Sequence, residues 1–341
     1  MTRRIHTVII AFVVAGLAAC SGASEPGLQP LEAAVPPIQR CVNLGNALEA
    51  PREGEWGYRI REQDLLLIEQ AGFDSVRLPV KWSAHAADTP PYTLDPAILN
   101  RVESVIDTAI SLGLFVVLDV HHYNELMEDP ETHTPRLVAM WTQIADRFAD
   151  YPDSLIFEII NEPHGALMTP GRIDSINAEV HAVIRARSPE RWIVVGGGEW
   201  GWVDGLLKTD PPIDSRTIAT FHHYGPYEFT HQGAEWLDDA PPAGAVWGTA
   251  RERAELERMF DLGVDFRDRT GLPIFLGEFG VVETADLRDR AEWTSAVRRA
   301  AEARDFAWCH WDYAAAFPLY DIEAEQWIQP MLDALLPATS P

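Results

Sequence analysis

An α/β fold of the (β/α)8 TIM-barrel kind is what this sequence predicts, on three observations. Eight short apolar runs recur along the chain from about residue 40. Stretches of helical periodicity separate them, such as "REQDLLLIEQAGF", "AILNRVESVIDTAISLG" and "RLVAMWTQIADRFADY". The 341 residues suffice for one large domain. Continuous apolar strands alternating with amphipathic helices imply parallel strands covered by helices, and eight such units close a barrel. A doubly wound sheet is the alternative. It would carry a Gly-rich phosphate loop after an early strand, and the sequence has none.

The chain opens with a targeting segment. "MTRR" is basic, "VIIAFVVAGLAA" is apolar but short for a membrane span, and "LAAC" ends the run. Small residues before a Cys resemble a bacterial lipoprotein signal, so residues 1–19 are expected to be removed and Cys20 lipidated. Ordinary secretion or a periplasmic product is the alternative; export follows either way. Residues 20–39, including "SGASEPGLQPLEAAVPP", read as a flexible tether. Residues 40–341 then form one catalytic domain with no further linker.

The eight runs follow in order. They are "CVNLGN" (41–46), "SVRLPV" (75–80), "LFVVLDV" (114–120), "LIFEIIN" (155–161), "WIVVGG" (192–197), "TIATFH" (217–222), "PIFLGE" (273–278) and "FAWCHW" (306–311). Barrel active sites lie at the C-terminal ends of the strands. Those ends collect Asn46 and Glu49, Arg77, His121 and His122, Asn161 and Glu162, Glu199 and Trp200, His222 and Tyr224, Glu278, and Trp311. Glu162 and Glu278 therefore face one cleft. Glu158, at an inward-pointing position, reads as a buried hydrogen-bond partner. The first and last strands of a barrel are neighbours, so Cys41 and Cys309 should lie close together. They either bridge or pack as two small buried hydrophobes.

Two carboxyls in one cleft suit glycoside hydrolysis, in which one must be neutral to protonate the leaving oxygen and the other ionised. Arg77 can hold one carboxylate ionised by its charge, and Tyr224 can donate to that same carboxylate. Asn161 can meet a sugar 2-hydroxyl, Trp311 offers a stacking floor, and His121 and His122 can bond neutral hydroxyls. A metal reading of the two "HHY" triplets, with Asp119 and Asp312, is weaker. Adjacent residues of a strand face opposite sides, so one His from each pair at most would reach a common ion. No metal and no cofactor are expected. The formal net charge of −25 argues against nucleic acid and anionic membrane as partners and suits a neutral polysaccharide. Membrane contact is expected only through the lipid, and the protein is expected to be a monomer.

Seven motifs carry a resemblance to glycoside hydrolase family 5, the cellulase family. They are "NLGNALEAP", "VRLPVKW", "DVHHY", "FEIINEP", "FHHYGPYEFTHQGAEW", "PIFLGEFG" and "WCHWDY", in order along nearly the whole chain from residue 41. The detail is similar to bacterial endo-β-1,4-glucanases, some of which also cleave mannans. The resemblance implies a retaining mechanism. Glu162 matches the acid/base and Glu278 the nucleophile. Arg77, His121, Asn161, His222, Tyr224 and Trp311 match further family positions, and Asn46, Glu49, His122, His231 and Trp236 match substrate contacts of the similar branch; Trp200 joins them as a strand-end aromatic. "HWDY" and "NLGN" depart mildly from the usual pattern, which touches substrate preference and not the chemistry. A β-mannanase on the same scaffold, and a surface lipoprotein that binds glycans without cleaving them, are the competing functions.

Overall fold

The structure is a computed structural model and describes residues 35–337. The expected signal peptide, Cys20 and most of the tether lie outside these residues. Among the described residues no helix is long and apolar enough to cross a membrane.

Eight parallel strands close into a barrel in sequence order. They are β1 (Arg40–Asn43), β2 (Ser75–Leu78), β3 (Phe115–Asp119), β4 (Leu155–Glu158), β5 (Ile193–Gly196), β6 (Thr217–His222), β7 (Ile274–Phe279) and β8 (Ala307–His310). Each falls inside or within one residue of an expected apolar run. The helices are α1 (Glu62–Ala71), α2 (Pro96–Ser111), α3 (Asn124–Glu128), α4 (Pro130–Arg147), α5 (Arg172–Arg187), α6 (Val203–Leu207), α7 (Tyr227–Thr230), α8 (Ala250–Thr270), α9 (Leu287–Glu302) and α10 (Gln329–Leu335). Their limits follow ordinary capping chemistry. The Asp95 side chain accepts from the Ala97 amide ahead of Pro96, and Thr249 and Glu252 form a reciprocal capping box on α8. A two-residue hairpin, β9 (Tyr320–Asp321) with β10 (Gln326–Trp327), is an addition that the apolar runs did not announce.

The barrel interior is layered by strand parity. Cys41, Val117, Ile156, Val194, Ile218, Phe275 and Cys309 form an apolar plug, with Ile38 packed into it. Ile38 is fully buried and Gln39 donates its amide to Asp74. The folded unit therefore begins before residue 40, because an apolar side chain is needed to close the barrel floor. Two residues along the strands from this plug, inward positions become polar: Asn43, Arg77, Asp119 and Glu158, all buried. Cys41 and Cys309 are cross-strand partners and form a disulfide with Cα atoms 4.1 Å apart.

Candidate active site

Arg77 organises the polar layer. Fully buried on β2, it donates from Nε to Glu158 Oε2 at 2.7 Å and from Nη2 to Glu158 Oε1 at 2.9 Å. Nη1 bonds Glu278 Oε1 at 2.7 Å and Asn43 Oδ1 at 2.9 Å. Nη2 also reaches Asn161 Oδ1 at 2.8 Å and pairs with Asp119 at 2.7 Å. One guanidinium thus serves three carboxylates, a planar fork that Lys could not supply. Glu158 is the structural partner that its parity indicated.

Glu278 needs a distortion to face inward. Counting by twos from Phe275, position 278 should point outward. The register of β7 slips between Leu276 and Phe279 against β8, and β6 slips beside it between Phe221 and His222. A bulge of this kind re-aims one side chain. Gly277 sits in it, and a Cβ there would lie 2.8 Å from both His222 Nε2 and Thr220 Oγ1. Glu278 then accepts from Tyr224 Oη at 2.9 Å as well as from Arg77.

Glu162 lies beyond its strand rather than at its end. Ladder bonding continues past β4 through the Ile159 and Asn161 amides, after which Glu162 turns with φ 43°. That left-handed turn lifts its carboxyl to 2.9 Å from His222 Nδ1. One oxygen of Glu162, one of Glu278 and a His222 nitrogen all lie within 4.8 Å of one another. Burial pushes both carboxyls up, to about 7. Their donors differ. Glu278 has Arg77 and Tyr224, both of which favour its anion, whereas the Glu162 carboxyl has, among the described residues, only the imidazole of His222 as a hydrogen-bond partner, and burial lowers that imidazole's pKa. A proton shared by the pair therefore resides on Glu162. These three residues are also a group that could hold a metal ion by spacing, but the cation already serving Glu278 is Arg77.

The carboxyls open into a cleft of about 910 Å³, lined by Asn46, His121, His122, Glu162, Tyr224, Glu278 and Trp311 together with Trp200, His231 and Trp236. Trp311 lies parallel to His121 at 5.6 Å. Both His121 and His122 line this cleft, as contacts for hydroxyls require, although adjacent residues of an extended strand would face opposite ways. β3 ends at Asp119 and His122 has φ 51°, so the alternation no longer applies. Asp119 Oδ2 lies 3.0 Å from His121 Nδ1 and holds that ring. Trp200, also left-handed at φ 59°, stacks on His164 at 3.5 Å and remains 53% exposed. Trp236 is 52% exposed across the cleft.

Glu49, Asn161 and His222 do not themselves line the main cleft. Glu49 is fully buried and off the cleft wall. Its two oxygens accept the Asn46 and Ala47 amides, so it shapes the loop that presents Asn46; its burial raises its pKa to about 8. Asn161 lines an adjoining cavity of about 350 Å³ that shares Glu162, His122 and Trp200 with the cleft, so its amide stays beside the reacting carboxyl. His222 is the buried link behind Glu162. Sequence reasoning missed Trp56, His164, Trp202, Tyr227 and Phe317 on the cleft or beside it. Trp56, in the Gly-flanked "GEWG" after β1, was the most legible of these, since an aromatic on a strand-to-helix loop has little core to fill.

The family model for Cellulase (glycosyl hydrolase family 5) matches residues 42–316, most of the chain and all eight strands but the first residues of β1. The chain belongs to glycoside hydrolase family 5. Endoglucanase H of Acetivibrio thermocellus is 38% identical to this family 5 chain over 271 residues, 80% of the chain and 29% of the relative. Cellulase/esterase CelE of the same organism is 32% identical over 79% of the chain and 35% of the relative. The chain thus spans about a third of the length of these two. Among solved structures, Thermotoga maritima Cel5A in complex with cellobiose is 42% identical with a TM-score of 0.85, covering 87% of this chain and 97% of that one. The same protein in complex with mannotriose aligns equally well, at 42% and 0.85.

Proposed function

We propose that this protein is a retaining, endo-acting glycoside hydrolase that cleaves β-1,4-glucan, of the cellulose or mixed-linkage type. The observation that carries this is the pair Glu162 and Glu278, whose oxygens approach within 4.8 Å at the floor of an open, aromatic-walled cleft. That is the close spacing of double displacement, with no room for a water between them.

In the first step Glu278 attacks the anomeric carbon while Glu162 gives its proton to the departing glycosidic oxygen. The C–O bond to the leaving chain breaks and an ester to Glu278 forms. Arg77 and Tyr224 keep Glu278 ionised and aim it. Asn161, held by Arg77 through its carbonyl oxygen, keeps its amide hydrogens for the sugar 2-hydroxyl. Glu162, now a carboxylate, then takes a proton from water, whose oxygen attacks the same carbon and frees Glu278. Two inversions give net retention. His121, His122, Asn46, His231 and the exposed faces of Trp200, Trp236 and Trp311 bind the neutral chain.

A β-mannanase or glucomannanase is the second reading. Its support is the similar Cel5A recorded with mannotriose. A glycan-binding protein without turnover is the third, and the presence of both carboxyls disfavours it. Reducing-sugar release from carboxymethyl cellulose, barley glucan and glucomannan tests all three. The first reading requires rates on both glucans; activity confined to glucomannan selects the second, and none on any substrate the third. The protein is further proposed to be exported and held in the bacterial cell envelope by lipid on Cys20, and to act as a monomer on a neutral substrate.

A further inference from the structure

The proton donor has less to hold it than the nucleophile. Arg77 and Tyr224 both fix the Glu278 carboxyl, whereas the Glu162 carboxyl meets His222 alone among the described residues. Its aim must therefore come largely from its backbone. That backbone is left-handed, with φ 43°, a conformation that a non-glycine residue keeps only where its surroundings over-determine it. His164 supplies the restraint. Its Nδ1 lies 2.8 Å from the Glu162 carbonyl oxygen. A carbonyl can only accept, so Nδ1 carries the proton and donates. The bond closes over Pro163 and ties the turn to the side chain that follows it.

His164 is itself held on both sides. Its ring stacks on Trp200, with centroids 3.5 Å and planes 5° apart, and the Trp200 amide donates to the Pro163 carbonyl at 3.1 Å. The next residue, Gly165, is left-handed, and a Cβ there would lie 2.7 Å from the Met127 carbonyl oxygen. The chain is thus pressed against α3 just after His164.

We propose that His164 is a positioning residue for the proton donor: its Nδ1–H fixes the left-handed turn that aims the Glu162 carboxyl at the glycosidic oxygen. This rests on the glucanase reading above and adds to it the group that holds the acid. The stack on Trp200 orients the ring, and the hydrogen bond sets the turn. A residue that acts through Glu162 matters only where Glu162 must give a proton.

The test uses two aryl β-cellobiosides with the same glycone and different leaving groups. Phenol needs a proton to depart, and dinitrophenol does not. His164→Phe keeps a ring against Trp200 and removes the donor. His164→Asn carries an amide N–H at the place of Nδ1 and removes the ring. His164→Phe should lower kcat/KM about 10- to 100-fold on the phenyl substrate and on barley glucan, the cost of a mis-aimed general acid, and change it less than about twofold on the dinitrophenyl substrate. His164→Asn should bring the phenyl substrate back to within about threefold of wild type, because the donor is restored. Equal losses on the two aryl substrates, wild-type rates from His164→Phe, or His164→Asn as slow as His164→Phe would each overturn the assignment. A wild-type protein inactive on barley glucan would instead overturn the glucanase reading.

Discussion

In the proposed mechanism Glu162 and Glu278 have the same chemistry and opposite roles, so their variants should fail differently. Glu278→Ala should abolish turnover, because no glycosyl ester can form. Glu162→Ala should lose about 10²–10⁴-fold on natural glycans, yet retain first-step activity on aryl glycosides with acidic phenol leaving groups, which need no proton. Azide should then yield a β-configured glycosyl azide from Glu162→Ala, since it attacks the ester, and an α-configured one from Glu278→Ala. An α-azide from the Glu162 variant would reverse the assignment. The pH dependence follows from the same pair. Burial raises both carboxyls to about 7, and only the singly protonated pair is active. Hence kcat/KM should be bell-shaped, falling at low pH as Glu278 gains a proton and at high pH as Glu162 loses its own. In Glu162→Ala, assayed on an activated aryl glycoside, the alkaline limb should vanish. The acid limb should move to lower pH, because the repulsion that helps raise Glu278 is gone. An alkaline limb that persists would show that another group is the acid.

At the scale of elements, β7 is the strand that the chemistry distorts. Gly277→Ala places a methyl 2.8 Å from His222 Nε2 and Thr220 Oγ1, so the bulge must shift and Glu278 with it. A displacement of about 1 Å costs on the order of 100-fold in kcat, with circular dichroism unchanged. A rate within a few-fold of wild type would mean that the bulge does not aim the nucleophile. The β1–β8 junction makes a different prediction. The Cys41–Cys309 disulfide closes a separation of 268 residues in the apolar plug, at the opposite end of the strands from the carboxyls. Cys41→Ala with Cys309→Ala should lower stability by about 2–5 kcal/mol and leave kcat/KM near wild type. The intact mature domain, unfolded without reductant, should show no free thiol from this pair; two titratable thiols would remove the bridge.

For the whole molecule, the barrel divides its labour along its axis. One end is an apolar plug that supplies cohesion, and the other gathers the charges that function requires, with Arg77 offsetting three carboxylates at the boundary. An excess of acid over base, 52 against 27 residues, disfavours anionic lipid, so the proposed envelope location rests on a covalent lipid. Expressed with its full N-terminus in a bacterial host, the protein should label with palmitate and sediment with membranes, and Cys20→Ser should abolish both. A soluble product lacking label before that substitution would sink the lipoprotein reading.

Period and parity were legible in the sequence alone. They gave eight strands, the closed order that pairs Cys41 with Cys309, the inward Glu158, and the ring of strand-end side chains from which Glu162 and Glu278 were chosen. Those features follow from apolar burial with a fixed repeat, which a single chain displays without its partners. The tertiary structure decided where the repeat is broken. The bulge at Gly277 turns Glu278 inward against its parity, and the left-handed turns at His122, Glu162 and Trp200 bring side chains into the cleft that an extended strand would send elsewhere. Glu49 was assigned to the cleft by its place after a strand, but the amides of its own loop claimed it. Each of these outcomes depends on which atoms crowd a position from distant parts of the chain. Local sequence carries the propensity to bend, and only the packed barrel fixes whether and where the bend is taken.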